Sequence, residues 1–445
     1  MFAPHFARRR AAGRPGANIA MAVALMCGTA LGVTALEAPA HAQKKKKQEA
    51  ETKPDYSKAF VAAYQPVDEM LKAETPDLNA VKAALPGVLA ATETPDDKYA
   101  TGGLYYNVGR LAEDAALQID GVKQMLGSGK TTPENTVKFN TLAGQLSYNA
   151  QDYAGARTYL ERAIDAGAAE KDLAGLMAET YFNEGRTQEG LTFLRGAIRD
   201  IDAAGEQVDE AWVKRGLSAA YEAGNAEEAI QYSLLYVDLF PSESAWGDAI
   251  AIQRNMLQYD SQETLDLLRL ARRASVLRNE RDYLDYVDAA DFRRLPGEVN
   301  AVIAEGIADG SLSESNPYVV EVRSNARKRL VADESELPKL AADARKAGAN
   351  STLLMAAGDA YLNYDRAAEA EEFYAMALGK PGVDTARVLT RLGIAQLDQG
   401  KTEEAKSTFL QVEGARRAIA RLWDVYATRD MTVAPVAATT EQPSS

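Results

Sequence analysis

The sequence has little of the chemistry that most enzymes use for nucleophilic, acid–base or metal catalysis. Its 445 residues include one cysteine and two histidines, which are Cys27, His5 and His41. The chain after residue 42 therefore has neither residue type, which excludes from it a cysteine nucleophile, a Ser-His-Asp triad and a thiolate or imidazole metal site. Disulfides are excluded there too, so packing alone must stabilise that part of the chain.

Basic residues are in the minority. Lys and Arg number 50 against 64 Asp and Glu, so the net charge at pH 7 is −14. A surface of this sign repels nucleic acid and anionic membranes, and we expect no nucleic-acid partner. The exception is the run Lys44, Lys45, Lys46 and Lys47. It predicts a solvated tether within a disordered, Lys-rich linker over 43–56, with weak contact between these lysines and an anionic envelope polymer as the alternative.

The first 42 residues have the layout of a secretory signal peptide. Arginines precede an apolar run from Ile19 to Leu36, and Ala40-His41-Ala42 fits a small-x-small cleavage site. We expect export in a bacterium with an envelope, cleavage after Ala42, and a periplasmic location with no transmembrane segment in the mature chain. A retained membrane anchor and lipidation of Cys27 are the alternatives, although Met26 is bulky for the position before a lipidated cysteine.

Small residues recur along the rest of the chain at a nearly constant interval. The intervals are 35, 34, 39, 35 and 35 residues for Gly121, Ala156, Gly190, Ala229, Thr264 and Val299, and 35 again for Ala370 and Ala405. A period in this range predicts an array of helical hairpins. In several units a second small residue follows seven positions later, as with Ala156 and Ala163 or Gly190 and Ala197. Such pairs share one helix face and predict close helix crossings.

The segments around these small residues share a helix–turn–helix pattern, as in SYNAQDYAGARTYLERAIDAG and YFNEGRTQEGLTFLRGAI. In this pattern the chain resembles a tetratricopeptide repeat (TPR) protein. The resemblance is strong over 134–271, where Pro241 closes a unit, and over 352–412, and it is weaker at 97–128 and 272–311. It implies an all-α fold, a right-handed superhelical solenoid of antiparallel helix hairpins with about eight to nine units.

The resulting domain map places the repeats between two irregular ends. After the signal peptide (1–42) and the linker (43–56) come an irregular N-terminal helical hairpin (57–96), a TPR-like array (97–312), a degenerate repeat or seam (313–351), TPR-like repeats with a C-terminal capping helix (352–428) and a disordered tail (429–445). We expect the capping helix, in GARRAIARLWDVYA, to cover the exposed end of the stack, as solenoids require.

The resemblance also implies a concave binding groove lined by the first helix of each hairpin. Carried over unit by unit, the groove-facing positions are Tyr106, Arg110, Gln145, Tyr148, Asn149, Glu179, Phe182, Asn183, Lys214, Ser218 and Tyr221. Asn149 and Asn183 are expected to hydrogen-bond the backbone of an extended peptide, between aromatic residues that supply apolar contact. The alternative is that the aromatics Tyr148, Phe182 and Tyr221 pack between hairpins.

Two local patterns resemble ligand sites without meeting their requirements. Residues 127–132, GSGKTT, resemble the end of a phosphate-binding loop but lack its leading glycine. Asp282, Asp285, Asp288 and Asp291 are spaced by three, whereas calcium loops alternate their ligands by two around a glycine turn. We expect a helix stop and a solvated acidic face, with no cofactor and no metal.

These observations predict a non-enzymatic periplasmic scaffold that binds a partner protein or peptide in the groove, for example in envelope assembly. One alternative is a structural module associated with cell wall or polysaccharide and tethered by the basic N-terminal arm. A minor alternative is a carboxylate-based envelope hydrolase, because some glycosidases need only two carboxylates. The repeats and their caps, however, leave no span for a separate catalytic domain.

Overall fold

The computed structural model describes residues 53–428, and the helices in this range belong to one compact unit that begins at Asp55. The predicted signal peptide, the lysines at 44–47 and the C-terminal tail lie outside the described residues. Within the described range the chain is a succession of helices with no strand. The predicted all-α solenoid of helix hairpins is confirmed.

The helices of the described range follow one another with short connections. In chain order they are α1 (Lys58–Leu71), α2 (Leu78–Ala90), α3 (Pro95–Leu111), α4 (Ala115–Leu126), α5 (Pro133–Asn149), α6 (Tyr153–Asp165), α7 (Glu170–Asn183), α8 (Thr187–Ala203), α9 (Glu210–Glu222), α10 (Ala226–Leu239), α11 (Glu243–Met256), α12 (Ser261–Arg273), α13 (Glu280–Ala290), α14 (Pro296–Ala308), α15 (Pro317–Ala344), α16 (Ser351–Leu362), α17 (Ala367–Leu378), α18 (Thr385–Asp398), α19 (Thr402–Leu410) and α20 (Arg417–Thr428). A 3₁₀ turn, Gly414–Arg416, precedes α20. Most helices pack against the next helix in the chain, which is the contact pattern of stacked hairpins.

The turns inside the hairpins use residues that accept a left-handed backbone. Gln151, Gly185, Gly224 and Gly400 have φ values of 62°, 79°, 65° and 75°. Glycine adopts this conformation without the Cβ clash that other residues suffer. They form the turns of the predicted helix–turn–helix pattern, and the second helix of each hairpin begins two residues later.

The recurring small residues lie at the helix crossings, as predicted. Ala156 and Ala163 of α6 are fully buried. In several other hairpins the first helix carries a glycine beneath a large side chain of the second: a Cβ added to Gly216 would stand 2.1 Å from Cε1 of Tyr232. The same relation joins Gly358 to Tyr374 and Gly393 to Phe409. Small residues here permit close packing, which any larger side chain would disrupt.

The end of the predicted disordered linker is held against α3. The Asp55 amide donates to the Asp96 carboxylate (2.9 Å), and the Thr94 hydroxyl donates to the Asp55 carbonyl (2.8 Å). Ser57 then caps α1 by accepting from the amide of Phe60. The ordered chain therefore includes Asp55 and Tyr56, which the sequence analysis assigned to the linker.

The predicted degenerate repeat at 313–351 consists mainly of one long helix instead of a hairpin. Helix α15 has 28 residues and contains no glycine, so the stretch lacks the usual turn residue. Its first half packs on α14 and its last turns pack near α16, where the hydroxyl of Tyr361 donates to the Leu337 carbonyl (3.2 Å). Between these contacts α15 is exposed, and Val331 has 80% of its surface accessible.

The C-terminal helix does more than cover the end of the stack. Helix α20 packs on α19 but also on α10, α12 and α18. The indole of Trp423 is fully buried and donates to the Asp266 carbonyl (3.1 Å), while the Gln253 side chain donates to the Ala418 carbonyl (2.9 Å). Helix α20 therefore covers α19, as expected of a capping helix, and it also contacts helices whose residues precede its own by more than 150 positions in the chain.

Candidate protein-binding face and a buried arginine network

The residues predicted to line the groove lie on α3, α5, α7 and α9, the first helices of four successive hairpins. We call these eleven residues the groove face. Its exposed members are Arg110, Gln145, Asn149, Asn183, Lys214, Ser218 and Tyr221, and its half-buried members are Tyr106, Tyr148, Glu179 and Phe182. Within the described range, Gln145, Asn149 and Tyr221 have no polar or aromatic partner.

Side chains one repeat apart meet across the groove face. The Asn183 amide nitrogen donates to the Tyr148 hydroxyl (3.1 Å) and to the Glu179 carbonyl of its own helix (2.8 Å). The first contact joins α5 to α7. Part of the hydrogen-bonding capacity expected to serve a peptide is therefore used inside the protein, whereas Asn149 keeps its amide group free of partners among the described residues.

An arginine that the sequence analysis missed joins α7 to α9. Arg215 donates to both carboxylate oxygens of Glu179 (2.5 and 3.1 Å), and its guanidinium lies 4.6 Å from the centre of the Phe182 ring. The hydrogen bonds that its guanidinium donates to Glu179 raise the pKa of Arg215. Glu179 and Arg215 are 36 residues apart, which is close to one repeat. This spacing could have predicted that the two side chains form a pair between neighbouring hairpins.

Packing within hairpins accounts for part of the aromatic content of the groove face. Phe182 lies over Gly190 of α8, where an added Cβ would stand 2.6 Å from its ring. Tyr148 contacts Tyr153 of α6 edge to face, with ring centres 5.7 Å apart. Tyr221, by contrast, is 47% exposed. Among these three aromatics, Tyr221 is the one with most surface left for a partner.

The remaining polar members of the groove face pair mainly within their own helices, although the Lys214 ammonium also lies 5.4 Å from the centre of the Tyr236 ring on α10. Lys214 forms an ion pair with Glu210 (2.6 Å), Ser218 donates to Glu222 (3.0 Å), and Arg110 donates to Asn107 (3.3 Å). Such exposed contacts contribute little to folding and exchange easily with partners in solution. They leave these side chains available to another molecule.

A second cluster, which the sequence analysis did not anticipate, is a set of ion pairs inside the later part of the fold. Its members are Asp266 and Arg269 on α12, Arg294 before α14, Glu298 on α14, Asp359 on α16, Arg387 and Arg391 on α18, and Arg416 in the 3₁₀ turn. We call this set the buried arginine network. Asp266 and Arg391 are completely inaccessible.

Asp266 is the centre of the network. Its carboxylate accepts from Arg391 Nε (2.9 Å), Arg269 Nη1 (3.1 Å) and Arg416. Arg391 continues to Asp359, with Nη1 at 2.7 Å from both carboxylate oxygens. One carboxylate thus joins α12 to α18 and to the turn before α20, and it fixes the position of the C-terminal helix.

The outer carboxylates of the network are held in their charged form. Burial alone would raise the pKa of Glu298, but the charge of Arg269 and hydrogen bonds from Arg269 and Tyr286 lower it to about 2. For Asp359, burial is likewise outweighed by the charges of Arg391 and Arg387, and its pKa is also about 2. Ionised carboxylates of this kind serve to neutralise buried arginines.

The two local patterns noted in the sequence have structural roles. Gly127 ends α4 and Thr132 caps α5, so the GSGKTT segment lies between two helices. The aspartates spaced by three have partners inside the protein: Arg254 pairs with Asp282 and Asp285, and Tyr318 donates to Asp288. The acidic row is therefore largely occupied by contacts of the fold, which corrects the expectation of a freely solvated face.

Between residues 53 and 428, no group of three or more His, Cys, Asp or Glu side chains is arranged to hold a metal ion. In the same range, every helix is too short or too polar to cross a lipid bilayer.

Stacked hairpins of this kind, several with a glycine of the first helix beneath a large residue of the second, resemble those of tetratricopeptide repeat proteins. Solved structures to which the chain is similar include the TPR2AB domain of yeast Sti1 in its pHSP90 complex (13% identity, 66% of this chain and 100% of that chain, TM-score 0.24) and the APC/C hetero-tetramer Cut9-Hcn1 (15% identity, 82% of this chain and 66% of that chain, TM-score 0.24). No protein-family model and no curated protein sequence matches the chain. The repeat class therefore rests on the hairpins of this chain itself.

Proposed function

We propose that the protein is a non-enzymatic scaffold that binds a partner protein or peptide on the groove face, after export to the periplasm of a bacterium. The observation that carries the proposal is the continuity of this face. Contacts between Tyr148 and Asn183 and between Glu179 and Arg215 place α5, α7 and α9 side by side. Extended faces of this kind are the surfaces that solenoid proteins use for ligands.

The groove face has the composition of a protein-binding surface. Aromatic and arginine side chains dominate the binding energy of most protein interfaces. Here Tyr221 and Arg110 are exposed, and the free amide groups of Gln145 and Asn149 offer both donors and acceptors to a peptide backbone.

The hydrolase alternative finds little support in the carboxyl groups. A general acid needs a raised pKa and a place beside substrate. A cavity opens beside the buried arginine network, next to Arg294 and Arg387. Among the described residues, burial raises the pKa of Asp365 and of Asp424, but neither residue lines this cavity, and Asp359, which does line it, has a lowered pKa. The second carboxylate at this cavity is Asp384, which caps α18, and the charges of Arg391 and Arg387 hold Asp359 in its ionised form, which cannot act as the general acid.

Site-specific photo-crosslinking tests the groove face. A photoreactive amino acid at Tyr221 should form covalent adducts with the same partner in repeated cell preparations, identified by mass spectrometry. The same amino acid at Glu161, an exposed position on α6 outside the groove face, is the matched control. Equal adducts from both positions would contradict the proposal.

Replacement of side chains distinguishes binding by the groove face from binding by the lysines at 44–47. Changing Asn149 and Asn183 together to alanine, or Arg110 or Tyr221 to alanine, should weaken recovery of the crosslinked partner while the helical content stays the same. Changing Lys44–Lys47 to serine should leave recovery intact. If recovery survives the groove-face changes and is lost with the lysine changes, and if the protein sediments with purified cell wall, the polymer-associated alternative is favoured.

Export is tested by the mature N-terminus. We expect mass spectrometry of a periplasmic fraction to find the chain beginning at Gln43 without a lipid. A chain that still begins at Met1, or that carries an acyl group on Cys27, would overturn this part of the proposal.

A further inference from the structure

A cavity of about 500 Å³ opens beside the buried arginine network. Its wall is formed by the start of α14, by one side of α16 and by the turn that leads into α18, and it includes Arg294, Ser351, Thr352, Asp359 and Arg387. These elements lie outside the groove face. The volume falls within the range of small-molecule sites in proteins.

The network beneath this cavity has more cations than anions. Five guanidinium groups are joined by ion pairs to three carboxylates, those of Asp266, Glu298 and Asp359. Asp384, exposed at the rim, caps α18 and forms no ion pair among the described residues. Even with Asp384 included, the cations remain in excess, in a protein whose net charge is −14.

The excess positive charge lies at the cavity wall. Arg387 donates to Asp359 from Nη2 (2.8 Å), whereas its Nε atom is buried and has no acceptor in the described structure. Arg294 donates from Nη2 to the Gln262 side chain (3.1 Å) but approaches Asp359 only to 3.9 Å, and 44% of its side chain is accessible. Burial lowers the pKa of Arg387 and repulsion from Arg391 lowers it further, so a nearby anion would stabilise its charged form.

Neutral donors complete the wall. Ser351 and Thr352 are the first two residues of α16, and their hydroxyl groups form no hydrogen bond within the described range. The cavity therefore combines two guanidinium groups with two hydroxyl groups. Guanidinium forks match the planar geometry of carboxylate and the oxygens of phosphate.

We propose that this cavity is an oxyanion-binding site in which Arg294 and Arg387 hold a carboxylate or phosphate group of a small ligand or of a peptide. The bound oxyanion accepts from the guanidinium groups and balances the network. This site is separate from the partner-binding function proposed above, because none of its residues belongs to the groove face.

Titration of the purified full chain tests the site with defined probes. Sodium succinate and sodium phosphate should raise the melting temperature in a saturable manner and release measurable heat in calorimetry, beyond the effect of sodium chloride at equal ionic strength. If neither succinate, phosphate nor the peptide acid described below exceeds the effect of chloride, the proposal is overturned.

Two further probes distinguish a free acid from a peptide. Acetyl-Ala-Ala with a free carboxyl terminus is compared with the same peptide amidated. If the acid form binds more tightly than succinate and the amide does not bind, the oxyanion comes from a peptide end. If succinate or phosphate binds more tightly than both, it comes from a small ligand. Equal binding of the acid and amide peptides would contradict recognition of an oxyanion.

Variants locate the binding. Arg294→Gln should weaken binding of the best probe at least tenfold, and the adjacent Arg293→Gln, whose side chain is 71% accessible and pairs with Asp291, should leave it unchanged. Arg387→Lys keeps the charge but removes the fork, so it should also weaken binding. Equal affinities for Arg294→Gln and Arg293→Gln, in proteins with unchanged circular dichroism, would place any binding elsewhere and refute the site.

Discussion

The groove face and the buried arginine network show two ways in which one repeat architecture uses its charged residues. On the groove face, charged pairs such as Glu179 with Arg215 remain partly accessible and join neighbouring hairpins. In the network, Asp266 and Arg391 are inaccessible and join elements 125 residues apart. Accessible pairs leave a surface for a partner, whereas buried pairs fix one arrangement of the later helices.

The difference in accessibility between these charged pairs follows from the position of α20. This helix returns to α10, α12 and α18 and covers surfaces that would otherwise remain open. Trp423 at its centre is fully buried. No comparable helix covers α5, α7 and α9 in the described structure. A TPR-like array can therefore carry an open face in one part and a closed interior in another.

Removal of the central carboxylate should have the largest effect. Asp266→Ala would leave Arg269, Arg391 and Arg416 without their shared partner, and breaking a buried ion pair in this way costs about 3–5 kcal/mol. Glu179→Ala, which breaks a partly accessible pair, should cost only about 0–1 kcal/mol. Urea unfolding followed by circular dichroism measures both. Equal costs would show that the two regions do not differ in the way the burial indicates.

Acid should weaken the network. The folded-state pKa values of Glu298 and Asp359, about 2 for each, lie below the usual values of 4.5 and 3.8. Lowered pKa values stabilise the folded state above the unfolded pKa, and this contribution is lost as the pH falls towards the folded pKa. The urea midpoint should therefore decrease between pH 4.5 and pH 2.

The matched variant isolates this contribution. Glu298→Gln cannot titrate, so its urea midpoint should depend less on pH over the same interval than that of the unaltered chain. An identical pH dependence in both proteins would mean that other carboxyl groups control acid unfolding.

Overpacking a helix crossing should have an effect of intermediate size. Ala163 is fully buried in α6, so Ala163→Arg forces a long charged side chain between helices and should cost at least about 2 kcal/mol. Ala197→Arg, at a position 5% exposed in α8, should behave in the same way. Glu161→Arg on the exposed side of α6 is the control, with an expected change within about 0.5 kcal/mol. Unchanged melting of both alanine variants would refute the repeat register.

The repeat units could be predicted because their contacts are local. Small residues one repeat apart and the turns between helices are both visible in the sequence, and the structure places Ala156, Ala163 and Gly190 at helix crossings. Side-chain pairs one repeat apart, such as Glu179 and Arg215, follow the same period. Contacts within and between neighbouring hairpins therefore account for much of the fold.

The buried arginine network could not be predicted from those spacings. Asp266 meets Arg391, Arg416 and Trp423 across 125, 150 and 157 residues, and none of these separations is a multiple of the repeat. The sequence marked 313–351 as a degenerate repeat or seam, but the spacings did not show that one long helix, α15, would replace a hairpin there. The contacts of the C-terminal helix with α12 depend on the geometry of every repeat unit that lies between them in the chain. Spacings within single units do not reveal that geometry.

The smallest effect should come from the hydroxyl group of an exposed tyrosine, compared with that of a buried one. Tyr374 is fully buried in α17 and donates to Asp359 (2.7 Å), so Tyr374→Phe should cost about 1.5 kcal/mol, as expected for a hydrogen bond to a charged group. Tyr221→Phe on the groove face removes the same atom where 47% of the residue is exposed, and the change should stay within about 0.5 kcal/mol. Urea unfolding of the two variants gives the comparison directly. If Tyr221→Phe costs as much as Tyr374→Phe, the hydroxyl of Tyr221 is bonded within the folded chain, and the groove face is not free to bind a partner at that position.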